Sequence, residues 1–282
     1  MKNHYPKIAT KLLIITTLTL LLASCLQNTT KKGRVGVDRQ QIMTISDSEM
    51  KKGAVQAYAE VLKKAKKDGT LNPNKKQLKR LRNIANRLIP QTKIFRKDAP
   101  KWKWQVNIIK SKQLNAWCMP GGKIAFYTGI IENLNLTDAQ IAAIMGHEIA
   151  HALREHGRER ASQAQMKAIG LQVLGALTGM GSAGMGAAAT VMNVTLTLPN
   201  SREHETEADR IGVELSARAG YNPYSAVEVW QKMAKISKSG QPEILSTHPS
   251  NKSRIKDLKI YAKKVNYLYE NFAQGNRKLK IR

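Results

Sequence analysis

Cysteine is scarce in this chain, since Cys25 and Cys118 are the only two among 282 residues. They could form one disulfide at most, so a small secreted fold held by a framework of disulfides is excluded. No catalytic partner pattern accompanies Cys118, which argues against a cysteine protease. If Cys25 is modified, Cys118 has no partner within the chain, and apolar packing and a bound metal must stabilise the fold.

Acidic residues are also few, with 20 Asp and Glu against 47 Lys and Arg and a formal net charge of +27. Such a basic field attracts nucleic acid, anionic lipid headgroups or acidic polymers. The basic residues are scattered along predicted helices, however, and neither zinc-finger spacing nor an aromatic RNA-binding signature accompanies them. We therefore predict no nucleic-acid partner; a lysine-rich proteome or an anionic membrane surface explains the charge.

One continuous apolar run, Leu12 to Leu22, lies near the N-terminus behind several lysines. This arrangement is typical of a secretory signal, and the run is too short to span a bilayer comfortably. It ends in Leu22-Ala23-Ser24-Cys25, which resembles the bacterial lipobox, where cleavage leaves a lipidated cysteine; an ordinary signal with an incidental cysteine is the alternative. Because no Asp follows Cys25, we predict a lipid anchor in the outer membrane, facing the periplasm.

The rest of the chain predicts an α+β fold, mostly helical with a small β-sheet. The domain plan is a lipoprotein signal over residues 1–24, a flexible tether over 25–41, a folded domain over 42–275 and a basic tail over 276–282. Gly170 to Thr197 is almost uncharged, and we interpret it as a buried helical hairpin rather than a mobile flap. From capping boxes and apolar spacing we predict helices over Ser46 to Lys67, Lys75 to Leu88, Thr137 into the segment beyond His147, Tyr224 to Lys235 and Lys252 to Tyr267, and from β signals strands over Trp104 to Ile109 and Lys123 to Thr128.

The segment His147 to His151 has the pattern His-Glu-x-x-His. On a helix, residues four apart share a face, so both imidazoles can bind one metal ion while Glu148 faces the bound water. Such a carboxylate can take a proton from that water as it attacks a peptide carbonyl and pass it to the leaving amine. The neighbouring residues are uncharged, as a buried metal helix requires. A chance occurrence of the five-residue pattern on an ordinary helix would not require uncharged neighbours, so this alternative is disfavoured.

A third metal ligand must lie elsewhere, because catalytic zinc normally has three protein ligands and a water. The metzincin pattern is excluded, since Gly157 stands at its third histidine and Arg154 at its glycine. Further along, Glu205 and Asp209 have the Glu-x-x-Ala-Asp spacing and share a helical face. Glu205 is the candidate third ligand and Asp209 a partner for a ligand imidazole. From these residues alone, a solvated acidic helix face is an equally good interpretation.

These segments together resemble the gluzincin-type zinc metallopeptidases that include the HtpX heat-shock proteases, the Oma-type mitochondrial proteases and the CAAX prenyl proteases. The resemblance covers about residues 40 to 265. With its lipobox, the chain is similar to the periplasmic lipoprotein branch of that family. Besides the two motifs above, the matching stretches are Asn115-Ala116-Trp117-x-x-Pro120-Gly121-Gly122, Ser201-Arg202-Glu203, Gly220-Tyr221-Asn222-Pro223, and Thr247-His248-Pro249 with Arg254.

The resemblance implies a zincin-like fold with one zinc ion per chain, held by His147, His151 and Glu205, with Glu148 as the general base. It further implies that His248 approaches the metal, either to stabilise the oxyanion or to occupy the open position as a resting-state plug. Arg254 would anchor that loop through Asp209 or another carboxylate. An edge strand would bind an extended substrate through main-chain hydrogen bonds. The residues of that strand are Asn115, Ala116 and Trp117.

Two further histidines are expected to lie outside the site. We predict that His156 is an exposed helix residue, and that His204 points away from the metal because its neighbour Glu205 points towards it.

We therefore predict a zinc-dependent endopeptidase, anchored to the membrane by lipid, whose substrates are unfolded or misassembled cell-envelope proteins. A binding protein or chaperone with a regulatory metal is one alternative, against which the retained Glu148 argues. The other is a basic surface-binding protein with a structural zinc ion. Structural sites are usually closed by four ligands rich in cysteine, which this chain does not offer.

Overall fold

The computed structural model describes residues 26–178, 186–236, 243–248 and 252–280. The predicted signal and its lipidated Cys25 lie outside these residues, as do positions 179–185 of the apolar stretch and Pro249.

Helices dominate the described part of the chain, which confirms the predicted fold class. Side-chain caps in the sequence set their starts: Ser46 Oγ accepts a hydrogen bond from Glu49 N at 3.1 Å, and Thr137 and Gln140 form a reciprocal capping box. The predicted helices are confirmed within a few residues, except for the end of the last one. The helices are α1 Asp47–Lys67, α2 Lys75–Leu88, α3 Thr128–Asn133, α4 Asp138–Leu153, α5 His156–Thr178, α6 Ala187–Met192, α7 Arg202–Arg218, α8 Ser225–Ile236, α9 Glu243–Thr247 and α10 Lys252–Lys280, with 3₁₀ turns at Ile89–Ile94 and Ala99–Lys101 and a π-turn at Asn193–Thr197.

A three-stranded sheet is formed by β3 Gln105–Ile109, β4 Ala116–Met119 and β5 Lys123–Tyr127. It lies beside the helices in the order β3-β5-β4. β5 runs parallel to β3 and antiparallel to β4, so that Val106 pairs with Ile124 and Trp117 with Ala125. β4 is therefore an edge strand, where the resemblance places the substrate strand. Two further short strands, β1 Leu26–Gln27 and β2 Gln41–Ile42, form a separate sheet.

The segment predicted as a flexible tether is packed from Leu26 onward. β1 and β2 pair antiparallel, and Val35 and Val37 are buried. Glycine at position 33 is required by a turn rather than by flexibility. Gly33 has a φ of +56°, and a Cβ there would lie 2.5 Å from the ring of Phe95. The expected flexibility over residues 26–41 is thus replaced by a tight turn against the folded domain.

α4 lies at the centre of the fold, and every residue from Gln140 to Leu153 is buried. α7 crosses it in backbone contact at two glycines. A Cβ on Gly212 would lie 2.7 Å from His147 N, and one on Gly146 would lie 2.8 Å from Gly212 O. Because larger residues would push the helices apart, these glycines bring the two predicted ligand helices together.

The apolar stretch is only partly buried where it is described. Val191 and Val194 pack with Met50 and Tyr58 of α1, while several of their neighbours are half-buried or exposed. α10 continues to Lys280 beyond the predicted end at Tyr267, so most of the predicted basic tail is helical. Among the described residues, no helix is both long enough and apolar enough to cross a membrane.

Candidate metal centre

α4 presents His147 and His151 on one face, one turn apart, as the spacing predicts. Both side chains are buried, and their Nε2 atoms lie 3.0 Å from each other. His147 turns its other nitrogen, Nδ1, to Asp209 Oδ1 at 2.9 Å. The rings thus direct their Nε2 atoms to a common point.

α7 brings Glu205 to the same point. Its carboxylate is fully buried, with Oε1 at 3.3 Å from His151 Nε2 and Oε2 at 3.5 Å from His147 Nε2. The alternative of a solvated acidic face does not hold, because Asp209 is buried beside Glu205. The structure therefore places the candidate third ligand with the two histidines.

His248, directly after α9, joins this group. Its Nδ1 lies 3.0 Å from Glu205 Oε1 and 3.2 Å from His147 Nε2, and its Nε2 lies 3.5 Å from Glu148 Oε1. The backbone N–H of Asn200 donates to Thr247 O at 2.9 Å, which fastens α9 to the segment before α7. His248 is thus buried within the donor set rather than at its edge.

The four donors fit a metal ion. One atom from each of His147, His151, Glu205 and His248 lies within 4.8 Å of all the others. Ligands at about 2.0–2.1 Å from a zinc ion in tetrahedral geometry stand about 3.3 Å apart. Four of the pairwise distances observed here are 3.0, 3.2, 3.0 and 3.3 Å. Imidazole and carboxylate donors at this spacing are suited to a divalent cation.

The charges around the donors also favour a cation. Burial alone would lower the pKa of His147, but hydrogen bonds to Asp209 and Glu205 outweigh it and raise that pKa to about 10. Burial lowers the pKa of His151 well below its ordinary value, so that ring is neutral, as a ligand must be.

Glu148 lies beside the donors without belonging to them. Burial raises the pKa of its carboxyl group. Two cavities adjoin its side chain, one apolar and lined by Trp230 and Met233, the other lined by Thr195 and Asn200. A water or substrate group in either cavity would meet this carboxylate, which is the position a general base requires.

Arg254 bonds to two buried carboxylates of α7, those of Asp209 and Glu205. Its Nε and Nη2 donate to Asp209 at 2.8 and 2.7 Å, and its Nη1 lies 2.7 Å from Glu205 Oε2. Burial opposes charge on both carboxyl groups, but Arg254 and the neighbouring histidines outweigh it and lower their pKa values. The arginine thus keeps both groups ionised.

The predicted substrate strand lies at the sheet edge. Ala116 and Trp117 belong to β4, and Asn115 precedes it. All four residues of β4 are buried, and the π-turn Asn193–Thr197 packs beside the strand. The strand therefore lies next to the metal helix, beneath the described part of the apolar stretch.

Sequence analysis missed His156. We predicted an exposed residue, but its side chain is fully buried and its Nδ1 lies 2.8 Å from His151 Nδ1. Glu155, with a φ of +52°, breaks the helix and turns His156 inward, which helical spacing does not reveal. His204 points away from the four donors, towards Glu159, but it too is buried.

Comparison with known proteins supplies a family. The family model described as Peptidase family M48 matches residues 75–262, more than half of the chain. The mitochondrial metalloendopeptidase OMA1 of Arabidopsis thaliana is 37% identical over 155 residues, which are 55% of this chain and 31% of that protein. OMA1 of Saccharomyces cerevisiae is 32% identical over 180 residues, 60% of this chain and 50% of the relative. The beta-barrel assembly-enhancing protease of Escherichia coli is 29% identical over 168 residues, which are 56% of this chain and 34% of that protein. The chain thus spans a third to a half of the length of these relatives.

Proposed function

Because this chain belongs to peptidase family M48, we propose that it is a zinc-dependent metalloendopeptidase with one zinc ion held by His147, His151 and Glu205. The observation that carries the proposal is the convergence of buried donors at ligand spacing beside the buried carboxylate of Glu148. Two histidines and a carboxylate are a donor set typical of catalytic zinc.

The bound metal would supply Lewis acidity, which polarises the scissile carbonyl group and makes water acidic enough to attack at neutral pH. Glu148 moves the protons: its carboxylate accepts one from the attacking water and donates it to the leaving amine. Among the described residues, Glu148 Oε1 has no hydrogen-bond partner, so that atom is available for this transfer. Asp209 and Arg254 hold His147 and Glu205 in place.

The proposed substrates are unfolded or misassembled proteins of the bacterial envelope, bound as an added strand along Asn115 to Trp117. Main-chain pairing reads sequence weakly, which suits quality control. The Leu22-to-Cys25 lipobox supports a lipid anchor in the outer membrane facing the periplasm. The bacterial relative named as a beta-barrel assembly-enhancing protease favours an envelope location, whereas the OMA1 relatives are named mitochondrial.

Cleavage of an unfolded protein tests the activity. Purified protein loaded with zinc is expected to degrade casein, to lose all detectable cleavage in 1,10-phenanthroline and to regain it when zinc is added back, because the metal supplies the Lewis acid. The isomer 1,7-phenanthroline, which does not chelate, is the control. Cleavage that continues after the metal is removed, as measured by elemental analysis, would contradict the proposal.

His248 has two proposed roles, and a single variant separates them. Because its Nδ1 lies among the metal donors at 3.0–3.2 Å, we favour the resting-state plug. His248→Ala is then expected to raise casein cleavage about tenfold, since each 1.4 kcal/mol that favours the plugged state lowers the competent fraction tenfold. If His248 instead stabilises the oxyanion, the rate falls about 10²–10³-fold. Zinc content measured in parallel shows whether either change reflects loss of metal.

A further inference from the structure

The outer nitrogen of His151 has an unusual partner. His147 bonds directly to a carboxylate, but His151 Nδ1 lies 2.8 Å from the Nδ1 of another histidine, His156. His156 Nε2 in turn lies 2.9 Å from Glu207 Oε2. The described structure therefore contains a buried row of side chains, Glu207, His156 and His151, that leads to the proposed metal.

The positions of the hydrogens in this row follow from the metal. A ligand imidazole offers the lone pair of Nε2, so the hydrogen of His151 is on Nδ1 and must be donated to His156 Nδ1. His156 can accept it only as a neutral ring with its own hydrogen on Nε2, and that hydrogen is donated to Glu207. Glu207 thereby selects the tautomer of both rings.

Glu207 is held rigidly by two arginines. Arg154, which is fully buried, donates from Nε to Glu207 Oε2 at 3.0 Å. Arg39 donates from Nε to Glu207 Oε1 at 2.8 Å and from its Nη atoms to both oxygens of Glu159 at 2.6 and 2.8 Å. Both oxygens of Glu207 thus have fixed cationic donors, and the carboxylate remains available to His156 in one orientation.

We propose that His156 and Glu207 are positioning residues that fix the tautomer and ring orientation of His151, so that its Nε2 is directed to the metal. The inference rests on one part of the proposed function, namely that His151 is a ligand of the metal ion. The pair would make the zinc site tighter without contacting zinc or substrate.

A second metal site formed by His156, Glu159 and His204 is the competing interpretation, since these three are close enough to share an ion. Their geometry argues against it. The rings of His156 and His204 are stacked, with centroids 4.3 Å apart and planes at 18°, so their lone pairs do not meet at a point. The Glu159 oxygens are already bonded to Arg39 and to Gln41. These residues form a hydrogen-bonded network.

The test measures zinc affinity of metal-free protein by competition with a chromophoric chelator. His156→Leu is expected to weaken zinc binding about 10- to 100-fold, as loss of a partner behind a ligand histidine does. His156→Gln is expected to recover most of the affinity, because the amide can accept from His151 and donate to Glu207. His204→Leu is the matched control: it removes a buried ring stacked on His156 but leaves the row intact, and its zinc affinity should stay within about twofold of wild type.

Three results would overturn the proposal. One is unchanged zinc affinity in His156→Leu. Another is an equal loss in His156→Leu and His204→Leu, which would indicate general disruption of the network. The third is two zinc ions per wild-type chain, with one lost in both variants. His151→Ala separates this inference from the function: zinc retained in that variant contradicts the proposed metallopeptidase site itself, whereas zinc lost there but unaffected in His156→Leu contradicts only the positioning role.

Discussion

Glu148→Gln is expected to lower kcat/KM for an unfolded substrate by about 10²–10⁴-fold, the usual contribution of a general base. Glutamine has nearly the same shape, but its amide cannot take a proton from water or return one to the leaving amine. Glu148 is also outside the group of donors, so zinc content should not change. Initial rates on a fluorogenic peptide and elemental analysis of the same samples measure both quantities.

Glu60→Gln is the matched control for this variant, because Glu60 is an exposed residue of α1. The same chemical change there should leave both kcat/KM and zinc content unaltered. If Glu148→Gln retained zinc and more than about a tenth of the wild-type rate, the loss would be too small for a general base, and the role would have to be given to another group.

The sequence was sufficient for features that depend on neighbouring residues. The capping box at Thr137 and Gln140 starts α4, and the i, i+4 spacing places His147 and His151 on one face. The Glu-x-x-Ala-Asp spacing likewise puts Glu205 and Asp209 on one side of α7. Each of these predictions needs only helical geometry, which the local sequence determines.

Features that depend on distant residues could not be read in the same way. Arg39 bonds to Glu159 and Glu207, which are 120 and 168 positions away in the chain. A local sequence pattern cannot predict such contacts. The polar, glycine-containing segment around Arg39 therefore resembled a tether. His156 was misplaced for a related reason: the left-handed Glu155 interrupts the helical periodicity on which the prediction relied.

Arg254→Met is expected to lower the free energy of unfolding of the metal-free protein by about 3–5 kcal/mol, because it removes the buried guanidinium that bonds to both Glu205 and Asp209. Exposure of the three side chains is only 4%, 0% and 3%. Methionine keeps much of the side-chain volume that packs over Trp230, where the guanidinium carbon lies 3.9 Å from the ring centroid. Urea denaturation with a chelator present, analysed by linear extrapolation, measures the loss.

Arg210→Met is the matched control, since Arg210 makes the same two-bond contact, at 2.9 and 2.8 Å, with Asp257 of α10. That pair is 30% and 24% exposed, and solvent screening limits its contribution to about 1 kcal/mol or less. Equal small losses in the two variants would mean that water reaches Glu205 and Asp209. That result would contradict the explanation by buried charge.

Zinc should then restore more stability to Arg254→Met than to the wild type if Glu205 is a ligand. In the variant, the zinc ion becomes the main cation beside Glu205, because Arg254 is gone. The protein is then stabilised by zinc binding to the folded state through mass action, to an extent set by the zinc affinity. A zinc-dependent gain that is the same in both proteins would place the ion away from Glu205, and would count against the third ligand even if His147 and His151 both bind the metal.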